Sequence, residues 1–218
     1  MIIALSGYAQ SGKDAAAKII KELDPDFEIK RFSGKLKQVA SILTGIPEAR
    51  FEDQEFKKSF LGEEWGTVQP NPLNTIDPFT DIEFNTLMSV RELLQKLGTD
   101  AIRNGLHANA WVNALMVDYK AEEHPGFKGF NKTMLPPSKW VIADCRFSNE
   151  AVAVKSKGGI VVRIERPGVE PVNSHPSETA LDGWKFDYRI CNDGTLDDLK
   201  TKLETLLNET NCTASAMP

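Results

Sequence analysis

Cysteine is scarce in this chain: Cys145, Cys191 and Cys212 are the only three in 218 residues. An odd, widely spaced set with no C-x-x-C pair suggests neither a disulfide framework nor a zinc site, and fits a reducing compartment. Long apolar runs are absent as well. The opening MIIALSG is too short for a signal or spanning segment and runs into glycine, and no stretch approaches ~20 apolar residues, so the expectation is a cytoplasmic protein without a membrane partner. Positive charge is in deficit, with 26 Lys and Arg against 31 Asp and Glu and a formal net charge of -5. That argues against a broad face for a nucleic acid polymer, because phosphate backbones are bound by clustered cations. Free nucleotides stay open, since a few placed cations suffice to hold them.

What the sequence does have is a glycine-spaced turn, LSGYAQSGKDAA, from Leu5 to Ala16. Gly7, Gly12 and Lys13 fit G-x-x-x-x-G-K, but Asp14 stands where a Ser or Thr hydroxyl normally ligates magnesium. The context is the required one: an apolar strand over 2–6 leads in, and DAAAKIIKEL from Asp14 has helical spacing. In a phosphate loop, the backbone from Gly7 through Ala9, Gln10, Ser11 and Gly12 to Lys13, Asp14 and Ala15 wraps the polyphosphate of ATP. The helix dipole adds to it, and Lys13 bridges the β- and γ-oxygens. Asp14 is either an oxygen donor to Mg²⁺, directly or through water, or simply a cap on the helix it begins.

The remaining pattern alternates strand and helix, which predicts an α/β fold with a parallel sheet flanked by helices. Strands are expected over 27–32, 139–147 and 160–168 and in FDYRIC, with helices through KLKQVASILTG, NEAVAVKSKGG and a closing segment from about Thr195. Ser89 with Glu92 three residues on reads as a capping box for a helix through VRELLQKLGTDAIRNG, and ANAWVNALMVDYKAEE is the next helix. Between about 47 and 88 the periodicity fades into a Pro- and Gly-containing insertion with one short helical piece near 52–60. One domain over 1–208 is expected, with a frayed tail over 209–218.

Taken in order, SGYAQSGKD, FSGKLK, RELLQKLGTDAIR…WVN, IADCRFSNEA, GGIVVRIERPG and HPSETALDG…DYRICNDGTLDDL resemble the phage deoxynucleoside monophosphate kinases. These belong to the three-layer P-loop, nucleoside monophosphate kinase-like fold. In that family Asp after the loop lysine is usual, whereas Ala15 departs from the Thr that commonly follows it. The resemblance implies an acceptor-binding insertion at about 47–123, a lid-like loop at about 167–186, and transfer of the γ-phosphoryl of ATP, with Mg²⁺, to a deoxynucleoside 5'-monophosphate. A homodimer, in the host cytoplasm if phage-encoded, is a further implication.

Candidate residues follow from the demand for cations and positioning in phosphoryl transfer. Arg91 suits bidentate binding of an acceptor phosphate, or is a solvated helix residue. Gln95 and Thr99, at i+4 and i+8 from it, share its face, with Leu94, Leu97 and Ala101 on the neighbouring buried one. Trp111 either stacks on a base or belongs to the core. Asp144, at the carboxyl edge of a strand, supports magnesium, binds the acceptor or pairs with Arg146; by resemblance Asp144, Arg146 and Glu150 line the acceptor site. Gly34, Lys35 and Lys57 fall near it by order of segments, with surface charge the default for the lysines. Of Arg163 and Arg166, the latter is nearer the lid and is the expected transition-state cation. His175 and Glu178 lie in the lid loop, where a packing or solvated role competes. Asn192, in CNDGTL, faces adenine or belongs to a plain turn. A GTPase switch is disfavoured, since there is no D-x-x-G and NKTM lacks its final Asp. Another P-loop kinase, such as a dephospho-coenzyme A kinase, is the alternative within enzymes.

Overall fold

The computed structural model describes residues 1–69, 84–119, 138–171 and 179–215. His175 and Glu178, in the lid-like loop, lie outside them. The chain divides into two compact units, Met1–Ser33 with Val112–Pro218, and Gly34–Trp111.

The first unit is built on a parallel sheet of five strands: β1 (Ile2–Ser6), β2 (Phe27–Lys30), β5 (Lys139–Ile142), β6 (Ile160–Glu165) and β7 (Tyr188–Cys191), in the spatial order β2-β5-β1-β6-β7. Strand β1 is central and wholly buried, paired with β5 from Ile2↔Trp140 and with β6 as far as Ser6↔Arg163. Strands buried on both faces carry near-continuous apolar runs, which IIAL and WVI are.

Side chains alternate across the sheet and form two cores. On one face Ile3, Leu5, Val162 and Ile164 pack with Ala16 and Ile20 of α1 (Lys13–Leu23) and with Leu199, Leu203 and Leu206 of α6 (Leu196–Ser215). On the other, Ile2, Ala4, Trp140, Ile142 and Val161 pack with Val112 and Leu115 of α4 (Ala110–Met116), Ala151 and Val154 of α5 (Ser148–Ser156), and Leu181. Three layers result, with the glycine turn leaving the carboxyl end of the central strand.

The second unit holds most of α2 (Phe32–Thr44), three short 3₁₀ turns, an antiparallel pair β3 (Thr67–Gln69) and β4 (Phe84–Thr86), and α3 (Val90–Gln95). Ala40, Phe51, Leu61, Val90 and Leu93 form its core. It starts earlier and ends earlier than the insertion expected over 47–123, and the β3–β4 pair had no periodic signal in the sequence. Ser89 caps α3 as expected, its hydroxyl accepting the Glu92 N–H at 3.2 Å.

Two expectations need correction. Beyond Gln95 the helix continues as a π-helix over Lys96–Asn104. Its wider turn re-aims the side chains, so Leu94 and Leu97 are half-buried, Gly98 is buried and Ala101 is exposed rather than on the buried face. At the other end of the chain, α6 runs to Ser215 instead of fraying from 209. Thr210 is buried, its hydroxyl bonding the Leu206 and Leu207 carbonyls at 3.0 Å each.

Candidate active site

The glycine turn between β1 and α1 has the backbone a phosphate cradle needs. Gly7 and Gly12 adopt φ of 150° and 103°, and Gln10, at the exposed tip, is the only non-glycine residue at positive φ among the described residues, at 64°. A Cβ on Gly7 would overlap the Ile164 carbonyl and lie 2.6 Å from Ser11 Oγ, and one on Gly12 would overlap the Asn192 side chain. Glycine is therefore required at both positions. Ser11 is buried, and its hydroxyl has no hydrogen-bond partner among the described residues. An orphaned donor inside a ring of small residues, at a helix N-terminus, fits a polyphosphate.

The first turn of α1 carries the two charged candidates. Lys13 Nζ donates to the Gly7 carbonyl at 2.7 Å and the Tyr8 carbonyl at 2.5 Å, so its ammonium sits over the turn itself. Asp14 does not cap α1, whose N-cap is Gly12. Its carboxylate instead accepts from Arg31 Nη2 at 2.6 Å, with the Asp14 side chain 71% exposed. Among the described residues no three His, Cys, Asp or Glu side chains cluster as a metal cage. An accessible carboxylate beside a phosphate cradle is nonetheless the donor set magnesium uses, one or two carboxylates with the substrate's phosphates completing the shell.

Beneath the turn lies a group that the sequence reading passed over in favour of Arg166. Arg163, 5% exposed on β6, donates to Asp182 at 2.9 Å and reaches Ser6 Oγ at 3.4 Å, with its guanidinium 4.5 Å from the Tyr8 ring. Burial and the neighbouring Asp182 carboxylate push the Tyr8 phenol up. A buried cation is stable only with a partner, so the charge inside IVVRIE was the available signal. Arg166 stands exposed past the end of β6, its carbonyl accepting the Val169 N–H at 3.1 Å.

Asn192 sits against the outside of the cradle. Its amide donates to the Ser11 carbonyl at 2.9 Å, and its backbone N–H to the Glu165 carbonyl at 2.6 Å. CNDGTL is thus brought to the phosphate turn, and Thr195 and Asp198 close the start of α6 by mutual hydrogen bonds.

At the edge of β5 the carboxylates have structural work. Asp144 accepts the N–H groups of Phe32 at 2.8 Å and Ser33 at 3.0 Å, capping α2 from the turn that follows β5. Glu150, 3% exposed, accepts from Arg146 N at 2.7 Å and Phe147 N at 3.0 Å, which places it at the start of α5 as a cap rather than in an open site. Arg146 itself is exposed.

The second unit holds the other acceptor candidates. Arg91 and Gln95 are exposed on α3, and Thr99 is half-buried in the π-helical stretch. Trp111 belongs to the interior: it is 8% exposed and its indole N–H donates to the Gly98 carbonyl at 2.9 Å, which corrects the base-stacking reading. Lys35 and Lys57 are half-buried, and a Cβ on Gly34 would meet nothing within 4 Å. The reading missed Lys37, which is buried and paired with Glu52 at 2.6 Å.

A parallel sheet in this order, with a glycine cradle and lysine leaving its central strand, defines a P-loop nucleotide-binding fold. Residues 54–203 match the model of the family Deoxynucleotide monophosphate kinase. The chain belongs to that family. Over 119 residues, 55% of this chain and 45% of the relative, it is 31% identical to the deoxynucleotide monophosphate kinase of Enterobacteria phage T4. Over 212 residues, 93% of this chain and 94% of the relative, it is 26% identical to the putative deoxynucleotide monophosphate kinase of Acanthamoeba polyphaga mimivirus. The match thus spans about half the length of the T4 relative and nearly all of the mimivirus one. Among solved structures, shikimate kinase from Aquifex aeolicus overlays over 100% of both chains at a TM-score of 0.42 and 9% identity. A likeness that loose carries no functional weight.

Proposed function

We propose that the chain transfers the γ-phosphoryl group of ATP to a deoxynucleoside 5'-monophosphate, giving the diphosphate and ADP, in the cytoplasm and for DNA precursor synthesis. The observation that carries this reading is the cradle formed by Gly7, Ser11, Gly12 and Lys13 in a member of the deoxynucleotide monophosphate kinase family. Backbone N–H groups of the turn hold the polyphosphate, and Lys13 exchanges its two loop carbonyls for phosphoryl oxygens. Asp14 is the residue that would hold Mg²⁺, which when bound neutralises polyphosphate charge. Arg166, exposed beyond β6, is the cation that closes on the transferred group.

On the acceptor side, Arg91 holds the 5'-phosphate as a bidentate fork, with Gln95 and Thr99 reading the sugar or base. Arg146 keeps the acceptor role that the family resemblance gives it. Asp144 and Glu150 act by fixing the starts of α2 and α5, on which acceptor contacts depend. A homodimer remains part of the proposal.

The test is a coupled assay of ADP release offering each deoxynucleoside monophosphate, its ribose counterpart and dephospho-coenzyme A separately. Turnover of at least one deoxynucleotide, with none of dephospho-coenzyme A, is expected. Phosphorylation of dephospho-coenzyme A alone, or hydrolysis of nucleotide without any acceptor, overturns the proposal.

A further inference from the structure

We propose that Arg31 is a catalytic cation of the transfer step, with Asp14 as its counter-ion and Asp144 as the group that fixes its place. The inference rests on the kinase reading above. Its starting point is the carboxylate that replaces a hydroxyl in the glycine turn. A second negative charge 4 Å from a phosphate costs about 4 kcal/mol at an effective dielectric constant near 20, and a cation fixed by the protein beside Asp14 offsets that charge together with Lys13 and the Mg²⁺ that Asp14 would hold. Arg31 is that cation, its Nη2 2.6 Å from Asp14 Oδ1.

The backbone around Arg31 is held on both sides. Before it, β2 pairs with β5 through Lys30↔Ile142, and the Lys30 carbonyl accepts the Ala143 N–H at 3.0 Å. After it, the N–H groups of Phe32 and Ser33 both bond Asp144. The side chain therefore leaves from a fixed point at the carboxyl edge of the sheet, where ligands of open α/β folds gather. The pair lies on the surface, the Arg31 side chain 33% exposed and that of Asp14 71% exposed. Exposed pairs contribute only about 0–1 kcal/mol, so a polyanion of higher charge competes successfully for the guanidinium. A planar fork of N–H donors suits the oxygens of a phosphoryl group.

In the step itself an oxygen of the acceptor 5'-phosphate bonds to the γ-phosphorus as the bond from that phosphorus to the β,γ-bridging oxygen breaks, and ADP departs with the electron pair. Arg31 exchanges no proton and forms no bond. It stabilises charge on the oxygens of the group in flight.

Steady-state kinetics of the full chain test this in four forms: wild type, Arg31→Ala, Asp14→Ser, and the double variant. Asp14→Ser restores the usual hydroxyl and removes the counter-ion. Arg31→Ala is expected to lower kcat by about 10²–10³-fold, as loss of one transition-state donor does, with the KM for ATP within about threefold. The double variant is expected to be at least about tenfold slower than Asp14→Ser alone, because the contact with phosphate does not pass through Asp14. Arg31→Lys is expected to recover little, since an ammonium lacks the fork. Undiminished kcat in Arg31→Ala, or a double variant as fast as Asp14→Ser, overturns the inference. A wild type inactive on every deoxynucleotide overturns the kinase reading and this inference together, whereas an active wild type matched by Arg31→Ala overturns this one alone.

Discussion

The Arg163 guanidinium lies between the Asp182 carboxylate, at 2.9 Å, and the Tyr8 ring, at 4.5 Å, and so ties the phosphate turn to a segment more than 170 residues downstream. The pair is asymmetric: Arg163 is buried, while the Asp182 side chain is 40% exposed. Asp182→Ala would leave a buried charge without its counter-ion. Breaking a fully buried pair costs roughly 3–5 kcal/mol, and screening at the exposed partner reduces the expected loss to about 1–3 kcal/mol. Urea unfolding measures it, and an unchanged midpoint contradicts the pairing.

Gly12 is fixed by two independent constraints, its φ of 103° and the Asn192 amide that fills the space a Cβ would take. Gly12→Ala is expected to weaken ATP binding more than about tenfold, since the turn has to open where the phosphate seats. Adding Asn192→Ala removes the overlap but not the φ strain, so binding is expected to recover only in part. Isothermal titration checks both, and wild-type affinity in Gly12→Ala removes the turn from the site.

Lys13 acts on charge that develops during transfer. Lys13→Ala is expected to lower kcat by about 10²–10⁴-fold while the circular dichroism spectrum stays that of the wild type, because the ammonium contacts loop carbonyls and not the core. Near-normal turnover contradicts the assignment.

Cys145 supplies a pH test. Burial, then the charges of Glu150 and Asp144, push its thiol well above the usual range. The thiolate is the reactive form, so the folded protein is expected to leave Cys145 unalkylated at pH 8 while the urea-unfolded chain is modified there. Peptide mass spectrometry after iodoacetamide treatment reads the site, and equal labelling in both states contradicts the burial.

Residues with a local rule behind them were legible in the sequence. Gly7, Gly12 and Lys13 announce the turn by spacing, Ser89 announces its helix by its offset from Glu92, and a parallel sheet covered by helices follows from alternation of apolar runs with helical ones. What escaped depends on partners far away along the chain. Arg31 looks like any charge after a strand until folding sets it beside Asp14, and Asp144 and Glu150 look like ligands until their oxygens are found on backbone N–H groups. The π-helical turn after Gln95 escaped because helical periodicity in sequence does not separate turns of different width. Trp111 was undecidable from sequence because an indole serves a core and a base equally well.

The central claim is that the turn from Gly7 to Asp14 grips a magnesium-bound triphosphate. A crystal structure with Mg²⁺ and a non-hydrolysable ATP analogue tests it most directly. The account predicts polyphosphate oxygens on the backbone N–H groups of the turn, with Lys13 Nζ moved from the Gly7 and Tyr8 carbonyls onto them. A bound analogue whose phosphates lie elsewhere, with Lys13 still on those carbonyls, would contradict it.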